Sequence, residues 1–157
     1  MKIYVLGSNH FMQEMVGVKN RLCEHGFDGT IHPDYEAMVR GDMPEKLNMV
    51  KNDRVRVKRE FNTLRDHYAR ILDSEAVLFV NGTKNGIKNY IGGNVLIEMG
   101  QAYVNNKKIF FLYGMPSGLP YQDEIDAMDP ICLNGELQNI VEHITSRHSE
   151  KYDKTDY

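Results

Sequence analysis

No stretch of the 157 residues approaches the roughly 20 apolar residues that a membrane span needs, so no spanning helix is expected. A basic excess is also missing. Nineteen Lys and Arg stand against 22 Asp and Glu, which argues against a binder of duplex nucleic acid. Cysteine is scarce: Cys23 and Cys132 stand apart, without metal-ligand spacing, as reduced packing residues of a cytoplasmic protein would. His143 and His148, with Glu142 and Glu150, make no convincing ligand set, and neither a metal nor another cofactor is expected. The opening MKIYVLGSNHF has too short an apolar run, and no small-residue cleavage site, for a signal peptide. Neither G-x-x-x-x-G-K-[ST] nor G-x-G-x-x-G follows the first apolar run, and no G-x-S-x-G surrounds Ser8. Without a composition break or a repeat, the chain reads as one domain over 1–146 and a polar tail over 147–157 ending in Tyr157.

What is present is an alternation of apolar runs and helical periodicity. Ile3–Gly7 reads as a buried strand, and Phe11–His25 as an amphipathic helix stopped by Gly26. Gly29–His32 is a weak strand ended by Pro33, and 36–53 a short helix with an excursion broken by Gly41 and Pro44. One long helix is expected over Arg54–Leu72, with Val57, Phe61, Leu64, Tyr68 and Ile71 on its apolar face. Strands follow at Ala76–Val80, Lys108–Tyr113 and Ile131–Leu133, and a last helix near Leu137–Ser146. Continuous apolar strands alternating with helices predict an α/β fold, a flavodoxin-like or Rossmann-like three-layer sandwich around a parallel sheet of about five strands. Such sheets bind ligands at the carboxyl ends of their strands, here Gly7-Ser8-Asn9, Asn81-Gly82 with its glycine-rich loop, and Gly114-Met115-Pro116.

Within GGNVLIEMGQAY (92–103) one carboxylate, Glu98, interrupts an almost wholly apolar helix. With Asn94 as N-cap, the positive helix end would favour its ionised form, and a poorly hydrated carboxylate in a cleft can serve as nucleophile or base. The segment GNVLIEMGQAYVNNKKIFFL, with its Glu-x-Gly-x-Ala helix, resembles the nucleoside 2-deoxyribosyltransferases and the related deoxynucleotide N-hydrolases. IYVLGSN is similar to that family's first strand. The resemblance covers roughly residues 2–10 and 61–114 and implies that Glu98 attacks the anomeric carbon. It implies also that Tyr4 hydrogen-bonds and orients Glu98, and that the Gly7-Ser8 turn lies against the sugar. Two positions depart from the pattern: Gly92 stands where the enzymes carry a polar residue touching the sugar, and His67, beside Asp66, where they carry an Asp that handles the base.

The implied activity is cleavage or transfer of the N-glycosidic bond of 2′-deoxynucleosides or their 5′-monophosphates, with retention. The acid for the leaving base would be His67, Asp66 or one of Asp123, Glu124 and Asp126, with His67 preferred because histidine titrates near neutrality. Gly7, Ser8, Asn9, Asn81, Gly82, Gly92, Gly93 and Asn94 are the expected substrate contacts. Lys84 and Lys88 are either phosphate contacts or solvated loop lysines, and RVRVKREF (54–61) reads as a solvated helix face. The partner is a small molecule, with neither duplex nucleic acid nor membrane, and a homodimer or higher homo-oligomer is implied by analogy, with Tyr157 a guess for a residue completing a neighbouring site. The alternative is a non-catalytic nucleotide or nucleotide-sugar binding protein of the same fold. A receiver-like or flavodoxin-like signalling domain lacks its acidic cluster or its hydroxyl-rich loop.

Overall fold

Residues alternate sides along a strand, and the first strand uses both. In β1 (Lys2–Gly7), Ile3 and Val5 join one core layer while Tyr4 and Leu6 join the other. The computed structural model describes residues 1–145; the tail 147–157, Tyr157, His148 and Glu150 lie outside the described residues. After β1 come a 3-10 turn (Asn9–Phe11), α1 (Met12–Glu24), β2 (Asp28–Thr30), α2 (Pro33–Arg40), α3 (Pro44–Asn52), α4 (Arg54–Glu60) and α5 (Thr63–Leu72). The remainder is β3 (Ala76–Val80), α6 (Gly93–Val104), β4 (Lys108–Phe111), α7 (Gln122–Ala127), β5 (Ile131–Cys132) and α8 (Asn139–Thr145).

All strand pairs are parallel, in the order β2-β1-β3-β4-β5. The expected α/β sandwich with a five-stranded parallel sheet is thus observed. One face buries Met12, Met15, Val18 and Leu22 of α1 with Leu137 and Ile140. The other buries Ile71 of α5, Val95, Met99 and Ala102 of α6, and Ile125 of α7. The central β3 is buried along its whole length, and its Val77, Leu78, Phe79 and Val80 side chains each contribute about 1.5–3 kcal/mol. The chain leaves β1 towards β2 on one side and returns to β3 on the other, so the β1/β3 boundary is the topological switch point. There β1 ends on Gly7, where an added Cβ would lie 2.8 Å from the Val80 carbonyl oxygen.

Several boundaries differ from expectation. Pro33 opens α2 rather than merely ending a strand: it sits in the first turn, and the His32 ring accepts the Asp34 N–H (3.2 Å). The expected helix over Arg54–Leu72 is two helices, broken at Asn62, whose φ of 49° is left-handed. The break resets the helical phase, so His67 is buried whereas Phe61 and Tyr68 are exposed. Residues 123–126 lie outside every expected element yet form the body of α7. At the end of β4, the Tyr113 N–H donates to the Asn81 side chain instead of a strand neighbour, which shortens that strand.

Candidate active site

At the switch point a cavity of about 660 Å³ opens between the β1 turn, α2–α5 and the start of α6. Its chemistry centres on Glu98, which is only 2% exposed. Asn94 is not the cap: Gly92 is, and Asn94 lies inside the helix, donating its amide to Glu98 Oε1 at 3.0 Å, one turn on. Oε2 is buried with no hydrogen-bond partner among the described residues. Burial pushes the Glu98 carboxyl up to about 8, outweighing the Asn94 bond and the charge of Lys58. This corrects the expectation of a dipole-favoured carboxylate: Glu98 is the sixth residue of α6, past the first turn where the dipole acts, and desolvation wins.

Tyr4 does not orient Glu98 directly. Its hydroxyl lies 2.8 Å from His67 Nδ1, and that nitrogen is 3.9 Å from Glu98 Oε1, beyond hydrogen-bond reach. The phenol donates when the imidazole proton is on Nε2 and accepts when it is on Nδ1. Burial, reinforced by His32, lowers the His67 pKa to about 4, so the ring is neutral at pH 7. Burial raises the Tyr4 pKa, and the phenol stays protonated. His67 lines the cavity; Tyr4 stands behind it, on the same sheet face.

Asp66 is not placed to protonate a leaving group. It accepts from Arg70 Nε (2.9 Å) and Nη2 (3.3 Å), and His32 Nε2 lies 3.2 Å from its Oδ2. Burial pushes its pKa up, but the hydrogen bond and charge of Arg70 overcome this and hold it below the usual carboxylate range. Because His32 Nδ1 accepts a backbone N–H, its proton sits on Nε2, facing Asp66. The Arg70-Asp66-His32 chain therefore buttresses the cavity wall. Asp123, Glu124 and Asp126 lie on α7, away from the cavity.

Comparison with known proteins finds no match. That holds for protein-family models, for curated proteins and for solved structures.

Of the expected substrate contacts, Gly7, Ser8, Asn9, Gly92, Gly93 and Asn94 line the cavity, whereas Asn81 and Gly82 do not. Asn81 is fully buried, donating to the Gly114 carbonyl (2.7 Å) and accepting from the Tyr113 N–H (3.0 Å), so it clamps β3 to β4. Gly82 packs against Phe11 and faces a smaller cleft with Lys88. Ser8 accepts from Lys84 Nζ at 3.0 Å, which brings the first and third strand ends together. Asn85 and Asn89 are left-handed turn residues. Among the described residues no cluster of three metal-ligating side chains occurs.

Sequence reasoning missed His32 and Tyr35, whose hydroxyl donates to Asn9 Oδ1 (2.9 Å), and it assigned Arg54 and Lys58 to solvent although both line the cavity. The i,i+4 spacing of Arg54 and Lys58 marks a shared face. Nothing local says that the face meets a cleft.

Proposed function

We propose that the protein cleaves or transfers the N-glycosidic bond of 2′-deoxynucleosides or their 5′-monophosphates, with Glu98 as nucleophile. One observation carries this reading: Glu98 lines a cleft at the switch point with a buried oxygen that no group among the described residues satisfies. An oxygen held dry and unpaired is costly unless a ligand uses it. At neutral pH, Glu98 and His67 together hold one proton more than the pair Glu98 carboxylate and neutral His67. Moved from the carboxyl to the imidazole, that proton leaves a nucleophile and an acid. The bond from Glu98 to C1′ forms as the C1′–N bond breaks, and the departing base takes the electron pair and the His67 proton. Water, or a second base, then displaces Glu98 and returns a proton to His67, with net retention. Tyr4 positions the imidazole.

Homo-oligomeric assembly and a cytoplasmic setting belong to the same reading. A second reading, binding of a nucleotide or nucleotide-sugar without turnover, is favoured by the protonated resting state of Glu98. The two separate on incubation with deoxynucleosides and their 5′-monophosphates, with and without an acceptor base, while free or exchanged base is followed chromatographically. Base release lost in Glu98→Gln, and a covalent mass adduct from a 2′-fluoro substrate, support the enzyme. Turnover unchanged in that variant removes Glu98 as nucleophile, and saturable binding without turnover favours the second reading.

A further inference from the structure

The mouth of the cleft is lopsided in charge. Lys51 from α3, Arg54 and Lys58 from α4, and Lys84 from the loop after β3 all line it. Glu98 is the only carboxyl among the described lining residues. Lys46 also lines the cavity but is engaged by Asp34. The other four cations form no ion pair among the described residues. On α4 the contrast is local: Arg56 pairs with Glu60 at 2.7 Å, whereas Arg54 and Lys58 on the cavity side do not pair. Four uncompensated cations gather here although the whole chain carries a net charge of −3. Tyr35 and Met38 of α2 and Leu47 and Val50 of α3 also line the cavity and give it apolar surface suited to a flat ring.

We infer that the cleft takes a nucleotide bearing a chain of two or more phosphates. Its ring lies on this apolar surface, its sugar at Glu98, and its phosphate chain along Lys84, Lys51, Arg54 and Lys58. The inference rests on the functional reading above for the identity of the cleft and extends its ligands from the monophosphate to longer phosphate chains. Charge matching separates it from a monophosphate. A phosphate monoester carries about −1.5 to −2 at neutral pH, roughly half of what these four side chains offer, and each further phosphate adds about one charge. Arg54 presents a planar fork suited to phosphate oxygens, and Lys84 is already oriented by Ser8.

Binding to Glu98→Gln tests this without turnover, by titration calorimetry in EDTA with 2′-deoxyadenosine, 2′-deoxycytidine and their 5′-mono-, di- and triphosphates. Affinity is expected to rise from nucleoside to monophosphate, and by about another tenfold to the di- or triphosphate, with the gain lost in high salt. Lys51→Ala, Arg54→Ala and Lys58→Ala, all at exposed positions, should each erase much of the second step and leave nucleoside binding intact. Arg59→Ala, exposed on the same helix but off the cavity, should change nothing. Equal affinity for mono-, di- and triphosphates would overturn the inference, as would inorganic tripolyphosphate binding as tightly as the nucleotide. Base release from plain deoxynucleosides without the phosphate ladder leaves the glycosidic reading intact and removes only this one. A ladder without base release does the reverse.

Discussion

The Tyr4 hydroxyl and His67 Nδ1 stand 2.8 Å apart at the base of the cleft, and both groups are buried. The contact joins β1 to α5 across 63 residues of chain. It commits the phenol to the imidazole, and what acts directly between Tyr4 and Glu98 is through-space charge.

Because the reacting pair must hold one proton in all, kcat/KM for base release should be level from about pH 4 to 8 and fall above 8, as Glu98 loses the proton that His67 delivers. A profile flat from pH 6 to 9 would show that the reacting group is not this carboxyl.

Stability should carry the same signature. The folded pKa of Glu98 is raised from 4.5 to about 8, so its contribution is full below 4.5 and is lost as pH rises through 8. His67 has its folded pKa lowered from 6.5 to about 4, so its contribution is present above 6.5 and is lost as pH falls through 4. The two slopes oppose between 4.5 and 6.5; above 6.5 Glu98 alone of the two contributes a slope. Urea unfolding should show a loss of about 2 kcal/mol between pH 6.5 and 8, absent in Glu98→Gln.

Tyr4→Phe leaves His67 Nδ1 without its partner in a dry site and should cost about 1–3 kcal/mol. Made on top of His67→Phe, the same change should cost little, because both partners are then apolar. Additive effects in the double-mutant cycle would mean that the contact contributes nothing.

Asn81→Ala should destabilise by at least about 2 kcal/mol, since both the Gly114 carbonyl and the Tyr113 N–H lose their partner. Expression yield and melting temperature should fall. Affinity per folded molecule should hold, because Asn81 faces backbone and not ligand.

Asn62→Val should cost about 1–2 kcal/mol or more through its left-handed backbone, while Asn62→Gly should be tolerated. The comparison reads directly in denaturation midpoints. A Val variant as stable as the Gly variant would mean that the kink between α4 and α5 can relax.

Glu98 shows how far the sequence reaches into the site. Its surroundings, Leu96, Ile97 and Met99, announced a carboxyl in an apolar helix, but its protonation follows from the depth of burial, and no local pattern encodes that. His67 falls in the same class: its identity is visible in the chain, its partner Tyr4 is not. Arg54 and Lys58 read as solvated because helical periodicity reports which residues share a face, never what the face meets.

By itself the sequence determined the alternation of strands and helices, the parallel sheet and the edge at which the cavity opens. Those features rest on local periodicity and on strands apolar enough to need cover on both faces. Tertiary structure alone decided that Tyr4 meets His67, that Asn81 clamps β3 to β4, and that four cations converge on one mouth. Each depends on how segments distant in sequence pack against one another, so it arises only once the chain has closed on itself.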